Sequence, residues 1–459
     1  MADFQAELQP RLSPDEAPAR GGRFHVETYG CQMNSYDSQA ISGLLQRAGY
    51  ARSDDPDVAD IVLLNTCSVR DHAEQKILSR IGEIRSIRRR RGLAQPLIGV
   101  CGCMAERLGP ELRKGQHRVD LVVGVDRYET LPGLVGELLA GEPALEAVVT
   151  GHTDEARLVA PPELYPVNNS HLVTIHKGCD YKCTYCIVPM TRGPQKEKAP
   201  DLILEEIRGI VAAGGREVTL LGQNVTAYAW PGLDFAGLLQ KVAEIPGLER
   251  IRFLTGHPRD MHRPLMDVIG RLDSVCPWLH VPIQSGSDRI LRRMKRLYDR
   301  AEYLDMVDYA RRAIPGVTFS SDFIVGFPGE TEEDFQATLE VLREVRYDQI
   351  FSFKYSERPG VPAARLADDV PLDVKKSRLA RLMELQDEVW AGAAAACTGQ
   401  VWHAVVEGPA RRPEGAWQLR TGNNRKVIVT GGELVPGQGV AVRITGHRNT
   451  TFFGSCEEC

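Results

Sequence analysis

The chain has 459 residues, too many for one ordinary core, and at roughly 150 residues per domain it implies about three domains. Hydrophobic residues make up 43% and charged residues 25%, a globular balance that excludes a wholly disordered or fibrous chain. The net charge of -5 excludes a simple polycation, so nucleic-acid binding would need local patches, and no run of 18 apolar residues is present to span a membrane.

Residues 1–22 are polar, acidic and proline-containing, with no apolar signal-peptide core, and are expected to be a disordered tail of a cytoplasmic protein. From residue 23 short apolar runs alternate with helix-period stretches. RFHVETYG, IVLLNTC, PLIGVCG and LVVG read as strands, with helices over 35–49 and 69–90. This alternation implies a parallel sheet wrapped by helices, an α/β domain over 23–150. Residues 151–170, rich in proline and without period, read as a linker. A second alternating series starts at His171, with strands expected at 217–222, 250–254, 279–283, 317–325 and 348–354. Helices are expected between them at 201–213, 234–243, 300–313 and 331–345, and a last one over 373–396. Six βα units without a return to antiparallel pattern suggest a partial (β/α)6 barrel over 171–396, with a doubly wound sheet as the rival. From Cys397 to Cys459 short alternating runs and glycine-rich turns indicate a small all-β unit, a second barrel.

Eleven cysteines, an odd number in a chain without a secretion signal, argue against a disulfide framework and for metal ligation or catalysis. Cys179, Cys183 and Cys186 form a CxxxCxxC on a tight loop after a strand. Three thiolates at this spacing can wrap one corner of a cubane, and iron–sulfur clusters normally take four. One iron would then be open to a non-protein ligand. Zinc is the alternative, but it prefers paired CxxC spacings or a histidine that completes a tetrahedron. A second set, Cys31, Cys67 and Cys103, falls at the carboxyl ends of three expected parallel strands, 36 residues apart in each step. Ligands of open α/β sheets gather at such ends, so a second three-thiolate cluster is expected there; three unrelated buried cysteines are the alternative. Cys101 lies inside its strand and is expected to be a core thiol.

The segments YGCQMNSYDSQ, NTCSVRDHAEQK, GCMAER, KGCDYKCTYCIVPMTRG, EVTLLGQNV, LHVPIQSGS, DFIVGFPGET and YSERPGVPAA run in order along nearly the whole folded chain. Together they resemble the methylthiotransferase family of the radical S-adenosylmethionine superfamily. Cys31-Gln32-Met33-Asn34 and Asn65-Thr66-Cys67-Ser68-Val69-Arg70 point to its tRNA-modifying branch rather than the ribosomal-protein branch. The resemblance implies an auxiliary-cluster domain, a radical S-adenosylmethionine core and a C-terminal TRAM domain for RNA. It implies two 4Fe-4S clusters, two S-adenosylmethionine molecules, and methylthiolation of carbon 2 of N6-isopentenyladenosine beside the anticodon. The Cys179/Cys183/Cys186 cluster would generate the radical, and sulfur on the open iron of the Cys31/Cys67/Cys103 cluster would be methylated and transferred. Tyr185 matches the aromatic position packing near the adenine of S-adenosylmethionine, with core packing as the other use. Two departures stand out: Pro194-Gln195-Lys196-Glu197-Lys198 where the family commonly has Glu and then Ser-Arg, and Gly256 where Ser is usual before His257-Pro258.

Further cofactor-side candidates sit at barrel strand ends, namely Gln223, Asn224, Gln284, Ser285 and Asp322, with turn or strand-end hydrogen bonding as the alternative. For RNA, residues 397–456 carry Arg411, Arg412, Arg420, Arg425, Lys426, Arg443 and Arg448 against Glu407, Glu414 and Glu433, seven minus three or +4. Trp402, Trp417, Phe452 and Phe453 are expected to serve the core before they stack on bases. Arginines at 85–91 and the set Arg289, Arg292, Arg293, Lys295 and Arg296 are further candidates, with solvated faces as the alternative. The expected partners are tRNA, a reducing electron donor and a sulfur donor, for a monomer with no membrane contact. The competing functions are methylthiolation of a ribosomal-protein aspartate and a two-cluster electron carrier. A carrier would call for closed all-cysteine coordination, which two triads lack.

Overall fold

The computed structural model describes residues 21–68, 71–115, 118–141, 147–153 and 170–457, and only the backbone of 71–75. Residues 1–20 of the expected tail, most of the linker, Val69, Arg70, Glu458 and Cys459 lie outside them. Contacts divide the chain into residues 1–30 with 37–151, and residues 31–36 with 152–459.

The first unit is built on a six-stranded sheet in the order Ala51–Arg52, Arg23–Tyr29, Ile61–Thr66, Leu97–Gly102, Leu121–Val123, Val148–Val149. Every pair in it is parallel. The run IVLLNT is buried at every position, as a central parallel strand covered on both faces must be. Helix Asp71–Arg90 places Ile77, Ile81 and Ile84 at helical spacing against Val62, Leu64, Ile98 and Val100 of the sheet.

In the second unit six parallel strands follow one another in chain order as two triplets. Ser170–Thr174, Glu217–Leu221 and Arg250–Phe253 make one; Trp278–His280, Thr318–Val325 and Gln349–Lys354 make the other. The bridge Ile251↔Val275 joins them. Both triplets keep chain order without the reversal a doubly wound sheet requires, and among the described residues no ladder pairs the first strand with the last, as in the partial barrel expected. The helices between them are capped by their own sequence: Asp299 with Glu302, and Thr331 with Asp334, form capping boxes.

Five strands, Val401–Pro409, Ala416–Thr421, Lys426–Thr430, Gly439–Arg448 and Thr451–Cys456, then close into a small barrel. Its core is Val406, Leu419, Val427, Val442, Ile444 and Phe452, with Trp402 and Trp417 packed against it. Helix Leu372–Ala395 packs on both Gln349–Lys354 and Gly439–Arg448. Arg250 and Arg252 donate to the carbonyls of Arg420, Thr421 and Gly422, which ties this barrel into the second unit.

Candidate metal centre

Cys179, Cys183 and Cys186 lie on one loop between His176–Lys177 and the short helix Val188–Thr191. His176–Lys177 pairs antiparallel with Lys196–Glu197, so the loop is closed at its base. Gly178 makes this closure possible: its φ is +76°, and a Cβ there would sit 1.9 Å from the Pro194 carbonyl oxygen. The Cys179 amide donates to Gly193 O at 3.1 Å, and the Cys186 amide to Cys183 O at 3.1 Å. Thr184 anchors the middle, its amide donating to Met294 O (3.0 Å) and its hydroxyl to Arg293 O (3.0 Å). Burial pushes the Cys186 thiol up to about 12 and raises that of Cys179 as well. Iron must therefore expel protons on binding, as thiolate ligation generally requires.

Around the loop the structure joins one strand-end candidate, Asn224, to Tyr181, His257 and Asp260, for which the sequence gives no role. The Tyr181 ring stacks on His257 at 4.1 Å, and its hydroxyl donates to Asp260 Oδ1 at 2.7 Å. Asn224 donates its side-chain amide to Asp260 Oδ2 at 2.5 Å, and its Oδ1 accepts from the His257 amide at 2.9 Å. Burial lowers His257 to about 2, so the ring is neutral where it stacks. Tyr181 stands inside CDYKCTYC, and His257 beside the departure at Gly256; their positions were visible, their pairing was not. A cleft of about 1090 Å³ lies beside the loop, lined by Asp180, Tyr181, Lys182, Arg259, Lys295 and Arg296 among others.

The strand-end candidates separate by environment. Gln223 keeps a buried Oε1 with no hydrogen-bond partner among the described residues, and the Asp322 carboxylate stands partly exposed, 3.7 Å from His280 Nε2. Asn224 spends its side chain on Asp260, Thr226 and His257. Ser285 is fully buried, with its hydroxyl accepting from the Ser287 amide beside Thr338. Gln284 takes φ +73° while its backbone bridges Asp322 and Ile324. Tyr185 packs against the cluster of Ile187, Ile290, Met294, Phe327 and Tyr355.

In the first unit the strand pairing aligns Tyr29 with Thr66 and Thr66 with Gly102. Cys67 and Cys103 therefore leave the sheet side by side at its carboxyl edge, both buried. Gly102 is needed there. Its φ is +90°, and a Cβ would come within 2.5 Å of Asn65 Oδ1 and 2.6 Å of Thr66 O. Cys101 is wholly buried, and burial pushes its thiol up to about 12, the environment of an inert core thiol. Cys31 belongs to the second unit, is exposed, and faces Asn34 Oδ1 at 3.4 Å.

Among the described residues no group of three or more His, Cys, Asp or Glu is gathered closely enough to grip one metal ion. A multi-iron cluster asks for a different geometry, since each thiolate binds a different iron. Three thiols on one pinned loop, next to a buried cation at Arg296, fit such a group.

Comparisons with known proteins bear on the same segments. Residues 23–124 match the Uncharacterized protein family UPF0004, and residues 173–342 match the Radical SAM superfamily. The chain is 45% identical to the tRNA-2-methylthio-N(6)-dimethylallyladenosine synthase of Porphyromonas gingivalis strain W83, covering 95% of both chains. It is 43% identical to the protein of the same name in Bacteroides thetaiotaomicron (94% of this chain, 95% of the relative) and 40% identical to that of Aquifex aeolicus (92% and 96%). Among solved structures, the radical S-adenosylmethionine methyltransferase TsrM from Kitasatospora setae aligns with TM-score 0.55 at 13% identity, covering 86% of this chain and 79% of that one. The cobalamin-dependent S-adenosylmethionine radical enzyme OxsB aligns at 0.54 and 12%, covering 80% and 56%. At such identities these two likenesses concern the fold.

Proposed function

The chain belongs to the tRNA-2-methylthio-N(6)-dimethylallyladenosine synthase family, and on that premise we propose that it places a methylthio group on carbon 2 of N6-isopentenyladenosine beside the anticodon of tRNA. The observation that carries this reading is identity of 40–45% along more than nine-tenths of the chain. The cofactors are S-adenosylmethionine and 4Fe-4S clusters, in keeping with the radical S-adenosylmethionine domain. When bound, those groups supply one-electron cleavage of a sulfonium and a sulfur for transfer, chemistry that no side chain can perform on an unactivated ring carbon.

The division of labour within the chain is ours. Residues 23–150, 171–396 and 397–459 act as the auxiliary-cluster domain, the radical core and the RNA-binding barrel, with 151–170 as linker. Cys179, Cys183 and Cys186 hold the radical-generating cluster; Cys31, Cys67 and Cys103 hold the second. Tyr185, Gln223, Gln284 and Asp322 face S-adenosylmethionine, while Asn224 and Ser285 shape the loops that carry them. A reducing electron donor and a sulfur donor serve a monomer in the cytoplasm; among the described residues no helix is long and apolar enough to cross a membrane.

The test is a reaction with an anticodon stem–loop. Reconstituted protein, S-adenosylmethionine and dithionite should convert isopentenylated RNA to its 2-methylthio form, read by mass spectrometry of the digested nucleosides. Modification of a ribosomal-protein aspartate with the RNA untouched would replace this reading by the ribosomal one. No product on either, with both clusters cycling, would leave an electron carrier.

A further inference from the structure

Arg296 was expected on a surface with Arg289, Arg292, Arg293 and Lys295. The structure buries it instead, with 6% of its surface exposed. Helix Asp288–Arg293 ends, Lys295 turns left-handed at φ +56°, and the chain doubles back so that the Arg296 amide donates to Leu291 O. The Lys295 side chain stays in water, and that of Arg296 goes inward. Its Nε donates to the Tyr298 hydroxyl at 2.8 Å and its Nη2 to Pro282 O at 2.8 Å. The Tyr298 hydroxyl is fixed in turn by Ile283 O at 2.8 Å. These bonds aim Nη1 at Cys183 Sγ, 3.4 Å away.

No carboxylate among the described residues partners this guanidinium; its hydrogen bonds end on a phenol, a carbonyl and a sulfur. A buried cation without a counter-charge is costly, and native proteins keep one only where an anion is present. The place where an anion can form is the cysteine loop, whose thiols must become thiolates to hold iron. Arg296 also lines the cleft beside the loop. Hydrogen bonds to the ligating sulfurs, net charge and solvent exposure are the levers that set a cluster's potential. Arg296 bears on the first two, through its bond to Cys183 Sγ and its buried charge.

We propose that Arg296 is a positioning residue of the radical-generating cluster: its Nη1–H donates to Cys183 Sγ and its buried charge balances the iron–thiolate group, which makes the cluster easier to reduce. This rests on the assignment of Cys179, Cys183 and Cys186 as cluster ligands. Reduction adds one electron and breaks no bond, so loss of a donor and a positive charge stabilises the oxidised form.

The experiment is a dithionite titration of full-length, anaerobically reconstituted protein carrying Cys31→Ala, Cys67→Ala and Cys103→Ala, so that one cluster is read by electron paramagnetic resonance. Arg296→Met, which fills the space and keeps water out, should lower the reduction equilibrium constant roughly tenfold, about 59 mV for one electron. Arg296→Lys keeps the charge without the aimed donor and should fall between Met and the parent. If the Met variant fails to assemble a cluster, the Lys variant still decides. A potential unchanged or raised in a variant that holds its iron overturns the proposal alone. Absence of the signal in the parent protein overturns the ligand assignment and the proposal with it.

Discussion

Charge counting finds cations but not their partners. Of the seven basic residues in 397–456, Arg420 pairs with Glu407 at 2.7 Å, Arg425 with Asp348 at 2.6 Å and Arg443 with Glu457 at 2.7 Å. Asp348 lies in the partial barrel and Glu457 just beyond the counted stretch, so the local +4 overstates what RNA can use. Arg411, Arg412 and Arg448 are exposed and, among the described residues, make no ion pair. Replacing these three by Ala should flatten the slope of log affinity against log salt for tRNA by about 0.7 per lost phosphate contact. Arg420→Ala and Arg443→Ala should change it less, which binding at several salt concentrations will show. An unchanged slope would place the RNA elsewhere. Of the aromatic residues expected in the core, Phe452 is fully buried between Trp390 and Trp402 and Trp417 packs against the core while donating to Gly432 O, whereas Phe453 is only partly buried. Arg296 shows the limit of a single sequence, because a charge run looks alike whether its last member turns out or in.

Elements long enough to show a period were legible. Helices expected at 201–213, 234–243, 300–313 and 331–345 appear as Pro200–Ala212, Phe235–Ala243, Arg300–Ala313 and Glu332–Val345. The pairs Ala51–Arg52, Val148–Val149, and His176–Lys177 with Lys196–Glu197 were not, since two residues carry no alternation. The last pair carries a testable consequence. His176 is wholly buried there, and burial lowers it to about 4, against weaker opposing pulls from the Asn224 backbone and Asp180. Its unfolded value is near 6.5, so between about 6.5 and 4 the unfolded chain binds a proton that the folded chain refuses. This contribution to stability is complete above the unfolded value and is lost as pH falls, up to about 3 kcal/mol by pH 4. Urea melts across that range should show a shallower pH slope for His176→Gln than for the parent protein. Parallel slopes would mean that His176 accepts its proton in the folded state.

At the scale of the whole molecule, the alternation of strand and helix was enough to read two parallel βα systems followed by a small all-β barrel, in which one pair, Lys426–Thr430 with Thr451–Cys456, turns out parallel. It could not show that contacts join the closed barrel to the partial one, because the bonds from Arg250 and Arg252 to 420–422 cross 170 residues of chain. The candidate ligands were legible for a related reason: cysteines at strand ends and on one loop are positions, which sequence records, whereas the network of Tyr181, His257, Asp260 and Arg296 is a set of contacts, which it does not. The central claim is that two cysteine triads hold two clusters in one chain. Iron per chain after anaerobic reconstitution tests it most directly, and about eight iron atoms are predicted, two cubanes of four. The triple variant Cys179→Ala, Cys183→Ala, Cys186→Ala should keep about four, as should Cys31→Ala, Cys67→Ala, Cys103→Ala, while Cys101→Ala should match the parent. Either triple variant retaining the full complement, or a folded triple variant retaining almost none, would contradict the account.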